Sequence, residues 1–150
     1  MLYFEDFPVG VRRELGSRTV DEAEMIAFSR AYDPQPFHID ADAAAHSHFG
    51  SLIASGWQTC ALTMRVFCDS FLLQSAAMGS PGVDEVRWTK PVRAGDTLTV
   101  YSTVLEARPS RSKPDRGVVV SATEVVNQHG ETVMTMRGMT IMALRPAQPS

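Results

Sequence analysis

The chain has 150 residues, 44% of them apolar and 21% charged, with a net charge of −3; this is the balance of one soluble globular domain long enough to bury a core. The charge leaves no electrostatic footprint for nucleic acid or an anionic membrane surface. The longest apolar-rich stretch, Ile53 to Leu73, is broken by Gln58, Arg65 and Asp69 and reads as a buried helix rather than a membrane span.

In chain order, Arg12 to Arg18 reads as a first strand entered after the Pro8-Val9-Gly10 turn. Thr19-Val20-Asp21-Glu22 has the form of a capping box, with Thr19 as N-cap and Glu22 reaching back to it. A short helix follows, with Ala23, Ile26, Ala27 and Ala31 on one face, and it delivers the chain to Tyr32-Asp33-Pro34-Gln35-Pro36-Phe37-His38. Each proline fixes its own φ and pushes the residue before it out of the helical region. Asp33 and His38 are therefore expected to flank a rigid, roughly extended loop. A carboxylate and an imidazole that converge on one water form a general acid/base pair. The residues alone equally allow Asp33 to cap a turn and His38 to be a half-buried loop residue. Residues 38–52 read as a short helical turn plus loop, ended near Gly50. His46 and His48 have no acidic or thiol partner in pattern, so no metal site is predicted.

The long helix is expected from Gly56 to Gln74, with Ser55 as N-cap and a free N–H on Gly56 at its start. Trp57, Ala61, Met64, Cys68 and Phe71 recur at spacings of four and three, widened by Phe67 and Leu72, and predict the buried stripe. Cys60 and Cys68 fall roughly 12 Å apart along that helix, too far for a disulfide. Reduced cysteines and an N-terminus without a basic leader and apolar run point to the cytoplasm.

From Pro81 the period changes to two. Val86 and Trp88 share a face of one strand, and Leu98, Val100, Ser102 and Val104 alternate in the next. Pro109 to Asp115 reads as a loop or hairpin end. Val118, Val120, Ala122 and Val126 then alternate, Asn127 to Gly130 turns, and Glu131 to Leu144 is the last strand, with Met134, Met136 and Met142 as adaptable core packing. Residues 1–145 make one domain, and 146–150 are expected to be a disordered tail. The plan is α+β. Its economical packing is a single hotdog fold, a curved antiparallel sheet wrapped around the long helix. Open sheet edges predict a homodimer or a dimer of dimers.

The order Tyr32-Asp33-x-Gln35-Pro36-x-His38-x-Asp40, then Phe49-Gly50, Ile53-Ala54-Ser55-Gly56 and Val86-Arg87-Trp88-Thr89-Lys90-Pro91-Val92-Arg93-x-Gly95-Asp96-Thr97-Leu98, resembles the MaoC-like dehydratases, relatives of the R-specific enoyl-CoA hydratases. The resemblance implies that Asp33 and His38, as carboxylate and neutral imidazole, hold a water that adds across the double bond of a trans-2-enoyl-CoA to give an (R)-3-hydroxyacyl-CoA. It implies Gly56 as the N–H donor to the thioester oxygen, and neither a metal nor a redox cofactor. Two positions depart from the family pattern: Gln35 stands where Asn is usual, and Ser55 where many relatives carry His. For the acyl-CoA substrate, Arg87, Lys90 and Arg93, or Arg111, Lys113 and Arg116 in the later loop, are candidate phosphate partners, each equally readable as a solvated surface charge. Tyr32 and Trp57 flank the two motifs and are candidates to line an acyl tunnel. Two rival functions remain open: a hotdog acyl-CoA thioesterase, since fold alone does not assign chemistry, and a non-catalytic acyl-CoA-binding protein.

Overall fold

A computed structural model describes residues 1–149. The period-two segments form one five-stranded antiparallel sheet in the spatial order β1 (Arg12–Thr19), β3 (Thr97–Pro109), β4 (Arg116–Val126), β5 (Thr132–Ala143) and β2 (Val83–Trp88). The sheet curves around a helix, α4 (Gly56–Ser70), which is the hotdog arrangement. β1 contributes to the curvature through a bulge between Glu14 and Gly16. Gly16 adopts φ +149° there, a backbone shape that a side chain rarely permits. The bend brings β1 against Val66 of α4, whose Cγ1 would lie 3.4 Å from a β-carbon at position 16. The core between sheet and helices gathers Val20, Met25, Leu52, Val66, Val92, Leu98, Val100, Val125, Val133 and Met134. β1 and β2 are the two open edges of the sheet.

Helix α1 (Glu22–Tyr32) starts at Asp21, whose carboxylate accepts from Glu24 N at 3.0 Å. The cap expected at Thr19 is thus displaced by two residues. Thr19 remains in β1, its hydroxyl 3.1 Å from that of Thr97, because strand pairing persists past the end of the alternating pattern. The inward face is also rotated: Met25 and Ser29 are buried and Ile26 packs against the core, while Ala23, Ala27 and Ala31 are exposed. Methionine and isoleucine each offer the core more apolar area per position than alanine does.

Two short helices, α2 (Pro36–Ile39) and α3 (Ala41–His46), lead towards α4. α4 ends at Ser70, where Phe71 leaves the helical region, and a single 3-10 turn covers Leu72–Gln74. It buries Gln58, Thr59, Thr63 and Val66. The first half of the predicted stripe points the other way, with Ala61 exposed, Trp57 61% exposed and Met64 50% exposed, while Phe67 further along packs against the core. The concave sheet already supplies large residues such as Met134 and Val125, so the slimmer side of the helix meets it.

The concave faces of β3 and β2 follow the expected alternation, through Leu98, Val100 and Val86. β4 does not: Val119, Ser121 and Val125 face inward. The consecutive run Val118-Val119-Val120 is apolar on both faces, so alternation there has no phase. On β5, Met134 and Met142 are fully buried, and Met136, paired with Val86 and Thr123, shares the inner face with Met134 but is only partly buried. Residues 144–149 form neither helix nor strand; Arg145 is tied to Glu5 and Asp6, and the tail expected at 146–150 ends in Ser150, outside the described residues. No described helix is long and apolar enough to cross a membrane.

Candidate active site

α1 ends on Asp33, whose N–H still bonds Ser29 O at 2.8 Å while its φ of −152° takes it out of the helix. Pro34 follows and forbids continuation. Gln35 is extended (φ −69°, ψ 140°), but Pro36 then occupies the first turn of α2, the one helical site where its missing N–H costs nothing. The loop is therefore extended only through residues 33–35, and His38 sits within a helical turn rather than on an extended segment. This turn folds the imidazole back onto the carboxylate: His38 Nε2 is 3.2 Å from Asp33 Oδ2, with His38 buried and the Asp33 side chain 18% exposed.

A second segment holds the pair from the other side. Residues 52–55 are all buried; Ile53 N donates to Phe37 O at 3.1 Å and Ala54 N to Val92 O at 2.8 Å. His38 Nδ1 is 2.8 Å from Ile53 O. A carbonyl only accepts, so Nδ1 carries a proton and donates, which leaves Nε2 as the nitrogen that exchanges a proton with its surroundings. Facing Asp33, Nε2 donates to the carboxylate when protonated and offers its lone pair to a water when it is not.

Asp33 is the best-connected side chain of the site. Gln35 Nε2 donates to Oδ1 at 2.7 Å, and the fully buried Ser55 hydroxyl donates to Oδ2 at 2.8 Å. Partial burial works against ionisation, but the hydrogen bonds from Gln35 and Ser55 and the neighbouring His38 outweigh it, so the carboxyl lies below its ordinary range. It is a carboxylate at neutral pH.

Ser55 is also the N-cap of α4, its oxygen accepting from Trp57 N at 3.3 Å. The next residue, Gly56, opens the helix, where an N–H has no intrahelical acceptor and lies at the positive end of the helix dipole. Gly56 and His38 line one cavity of about 280 Å³, closed by Phe49, Thr59, Trp88, Val92 and Val133 among others. Trp88 and Thr59 were not foreseen as site residues. Trp88 is 32 positions from Gly56, and Thr59 reads as an ordinary helix residue; the period-two signal at Val86 and Trp88 gave the inward direction of the indole but not its neighbour.

The remaining sequence candidates divide. Lys90 lines the cavity and is paired with Glu131. Arg93 lies beside Ser51, to which it donates, and its N–H bonds Asp96 at 2.9 Å. Arg87 is no part of the pocket: it pairs with Glu85 on the convex face, because strand alternation sends it opposite to Val86 and Trp88. Tyr32 is 77% exposed and stacks on Phe28, and Trp57 stands on the outward side of α4. Neither lines the cavity. Ser55 and Gln35 contact the carboxylate. Arg111 and Lys113 lie in the β3–β4 connection, with Arg116 opening β4; at about 3.3 Å per residue they sit roughly 40 Å along the strand from the site end of the sheet.

Residues 8–127 match the family described as MaoC like domain. Among solved structures, the MaoC-like dehydratase from Rhodospirillum rubrum is 42% identical, covering 98% of this chain and 100% of that one with a TM-score of 0.89. The unliganded R-hydratase PhaJ1 from Pseudomonas aeruginosa is 27% identical, covering 99% and 93%, with a TM-score of 0.76. The 3-hydroxybutyryl-CoA dehydratase of Methylorubrum extorquens is 28% identical over 139 residues, 89% of this chain and 83% of that protein.

Proposed function

The chain belongs to the MaoC-like domain family, and from that premise we propose that it is a hydratase/dehydratase of acyl-CoA thioesters, interconverting a trans-2-enoyl-CoA and an (R)-3-hydroxyacyl-CoA. One observation carries the reading: a carboxylate held ionised lies 3.2 Å from an imidazole whose other nitrogen is committed to a backbone carbonyl, and that imidazole shares a cavity with an N–H at a helix start.

In the hydration direction Asp33 takes a proton from a water held between it and His38 Nε2, as the water oxygen bonds C3. The π electrons move towards C2 and the thioester carbonyl. The charge gathering on the carbonyl oxygen is met by the Gly56 N–H, aided by the dipole of α4. C2 then receives a proton from the Asp33–His38 pair on the same face, which restores both groups. Every atom of the water ends in the product, and the chemistry needs no cofactor beyond the CoA of the substrate. The outward stripe of α4 and the open edge of β2 support a homodimer in which a second copy covers Trp57, Ala61 and Met64.

The test is loss of the conjugated enoyl-thioester absorbance of crotonyl-CoA on adding the purified protein. The reading expects turnover by the wild type and a fall of about 10²–10⁴ in Asp33→Asn and His38→Ala, the scale of losing an acid/base group. Full activity in both folded variants would refute the site. Release of free CoA from saturated acyl-CoA would turn the assignment to a thioesterase.

A further inference from the structure

The indole of Trp88 lies directly on the Cα of Gly56. A β-carbon at position 56 would fall 2.5 Å from the ring's Cδ2 and 2.6 Å from Nε1, distances no side chain tolerates. The same Nε1–H donates to the Gly56 carbonyl at 3.0 Å. Trp57 braces the ring edge-on, with centroids 5.2 Å apart and planes at 75°. Trp88 also belongs to the cavity wall. We infer that Trp88 is a positioning residue, one that holds the first peptides of α4 so that the Gly56 N–H faces the cavity; the inference rests on the hydratase reading given above.

The physical case begins with what glycine lacks. A glycine at the first helical position has no side chain to anchor it, and its φ and ψ are freer than those of any other residue. Helix ends fray as well, because their terminal backbone groups lack intrahelical partners. The carbonyl of Gly56 belongs to the peptide joining it to Trp57, so a hydrogen bond there restrains ψ at Gly56. On the preceding side, the buried Ser55 is fixed by its bond to Asp33. The peptide that carries the Gly56 N–H is thereby held from both sides. A donor aimed at developing charge is effective because it is already in place, and about 1 Å of slack costs about 10² in rate.

The clamp is supplied from a distance. Trp88 ends β2, where it pairs with Met134 of β5, so the sheet sets where the indole stands. Trp88 is 45% exposed and stands outside the cluster of buried core residues. Glycine at position 56 consequently serves two needs, close approach of a ligand and room for the indole.

The experiment compares wild type, Trp88→Phe and Trp88→Ala. In the ligand-free protein, the backbone ¹⁵N order parameter of Gly56 is expected near 0.85 for wild type, and to fall towards the flexible range, below about 0.6, in Trp88→Ala. Trp88→Phe keeps a ring and loses the donor, so it should lie between. An unchanged Gly56 amide in folded Trp88→Ala overturns the inference; should that variant not fold, an unchanged amide in Trp88→Phe does so. With crotonyl-CoA, kcat should drop by about 10² in Trp88→Ala with KM within a few-fold, and the carbonyl stretch of bound [1-¹³C]butyryl-CoA should return towards its solution frequency. A rise in KM alone, with the stretch unmoved, makes Trp88 a plain wall and also overturns the inference. If the wild type turns over no enoyl-CoA while its Gly56 amide still loosens on truncation, the hydratase reading fails and the positioning role stands.

Discussion

Replacing Ser55 with alanine separates the two things its hydroxyl does. The side chain is fully buried, donates to Asp33 Oδ2 at 2.8 Å and accepts from Trp57 N at 3.3 Å. As N-cap it contributes about 1 kcal/mol, and each kcal/mol lowers Tm by about 2–4 °C in a domain of this size. As donor to a charged acceptor it contributes about 1.5–3 kcal/mol, spent on the ionised form of Asp33. In the proposed reaction Asp33 must be ionised to take the water proton, and its carboxyl is held below the ordinary range in part by this bond. Losing the bond disfavours the carboxylate, so activity begins to fall at higher pH in the variant. Where both profiles are falling with acidity, Ser55→Ala should be slower by about 10- to 100-fold, at about 1.36 kcal/mol per decade. On the neutral plateau the two should nearly agree. The assay is kcat/KM for crotonyl-CoA hydration across the acid range, with Ser55→Thr as the variant that retains a hydroxyl and restores the wild-type profile. Superimposable profiles for wild type and Ser55→Ala, with only Tm lowered, would show that Ser55 caps the helix and does nothing for the carboxylate.

Gln35→Ala should move the acid limb in the same direction, since Gln35 donates to the other oxygen of Asp33; because its side chain is exposed, the shift should be smaller than for Ser55→Ala, read from the same pH profiles. Gly56→Ala retains the N–H, so any activity it loses reflects the displaced Trp88 or a blocked approach to the backbone. Overpacking of this kind costs about 1–3 kcal/mol and should lower Tm by about 2–12 °C, measurable by calorimetry. Met64→Glu, on the outward stripe of α4, should convert the proposed dimer to monomer in light scattering while leaving the isolated fold intact; a monomeric wild type, or an unchanged dimer mass in the variant, would remove α4 from the interface. Lowering pH through the Asp33 titration should also destabilise the folded state. Its folded-state carboxyl is held below the unfolded value, so the stabilisation is complete above the unfolded pKa and is lost as pH falls through the folded one, which acid-induced unfolding of wild type against Asp33→Asn will detect.

The residues themselves determined what depends on neighbours along the chain. Two prolines in three positions restrict the backbone between Asp33 and His38 wherever they occur, and Ser55-Gly56 marks a helix start because capping is local chemistry. Strand and helix periods likewise gave the α+β plan, and the long helix begins where Ser55 placed it. What only the tertiary structure decided is which surface meets which. Apolar burial has no direction, so an amphipathic stripe identifies a face without naming its partner. The stripe through Trp57, Ala61 and Met64 therefore pointed outward while Thr59, Thr63 and Val66 faced the sheet, and the continuous valines of β4 left its phase undetermined. The meeting of Asp33 and His38 was legible as a spacing, yet the supports around them were not. Gln35 reaching back to Asp33, Ser55 crossing 22 positions to the same carboxylate and Trp88 crossing 32 to Gly56 exist because a curved sheet and a cap bring distant backbone together. Spacing along a chain carries no record of that meeting.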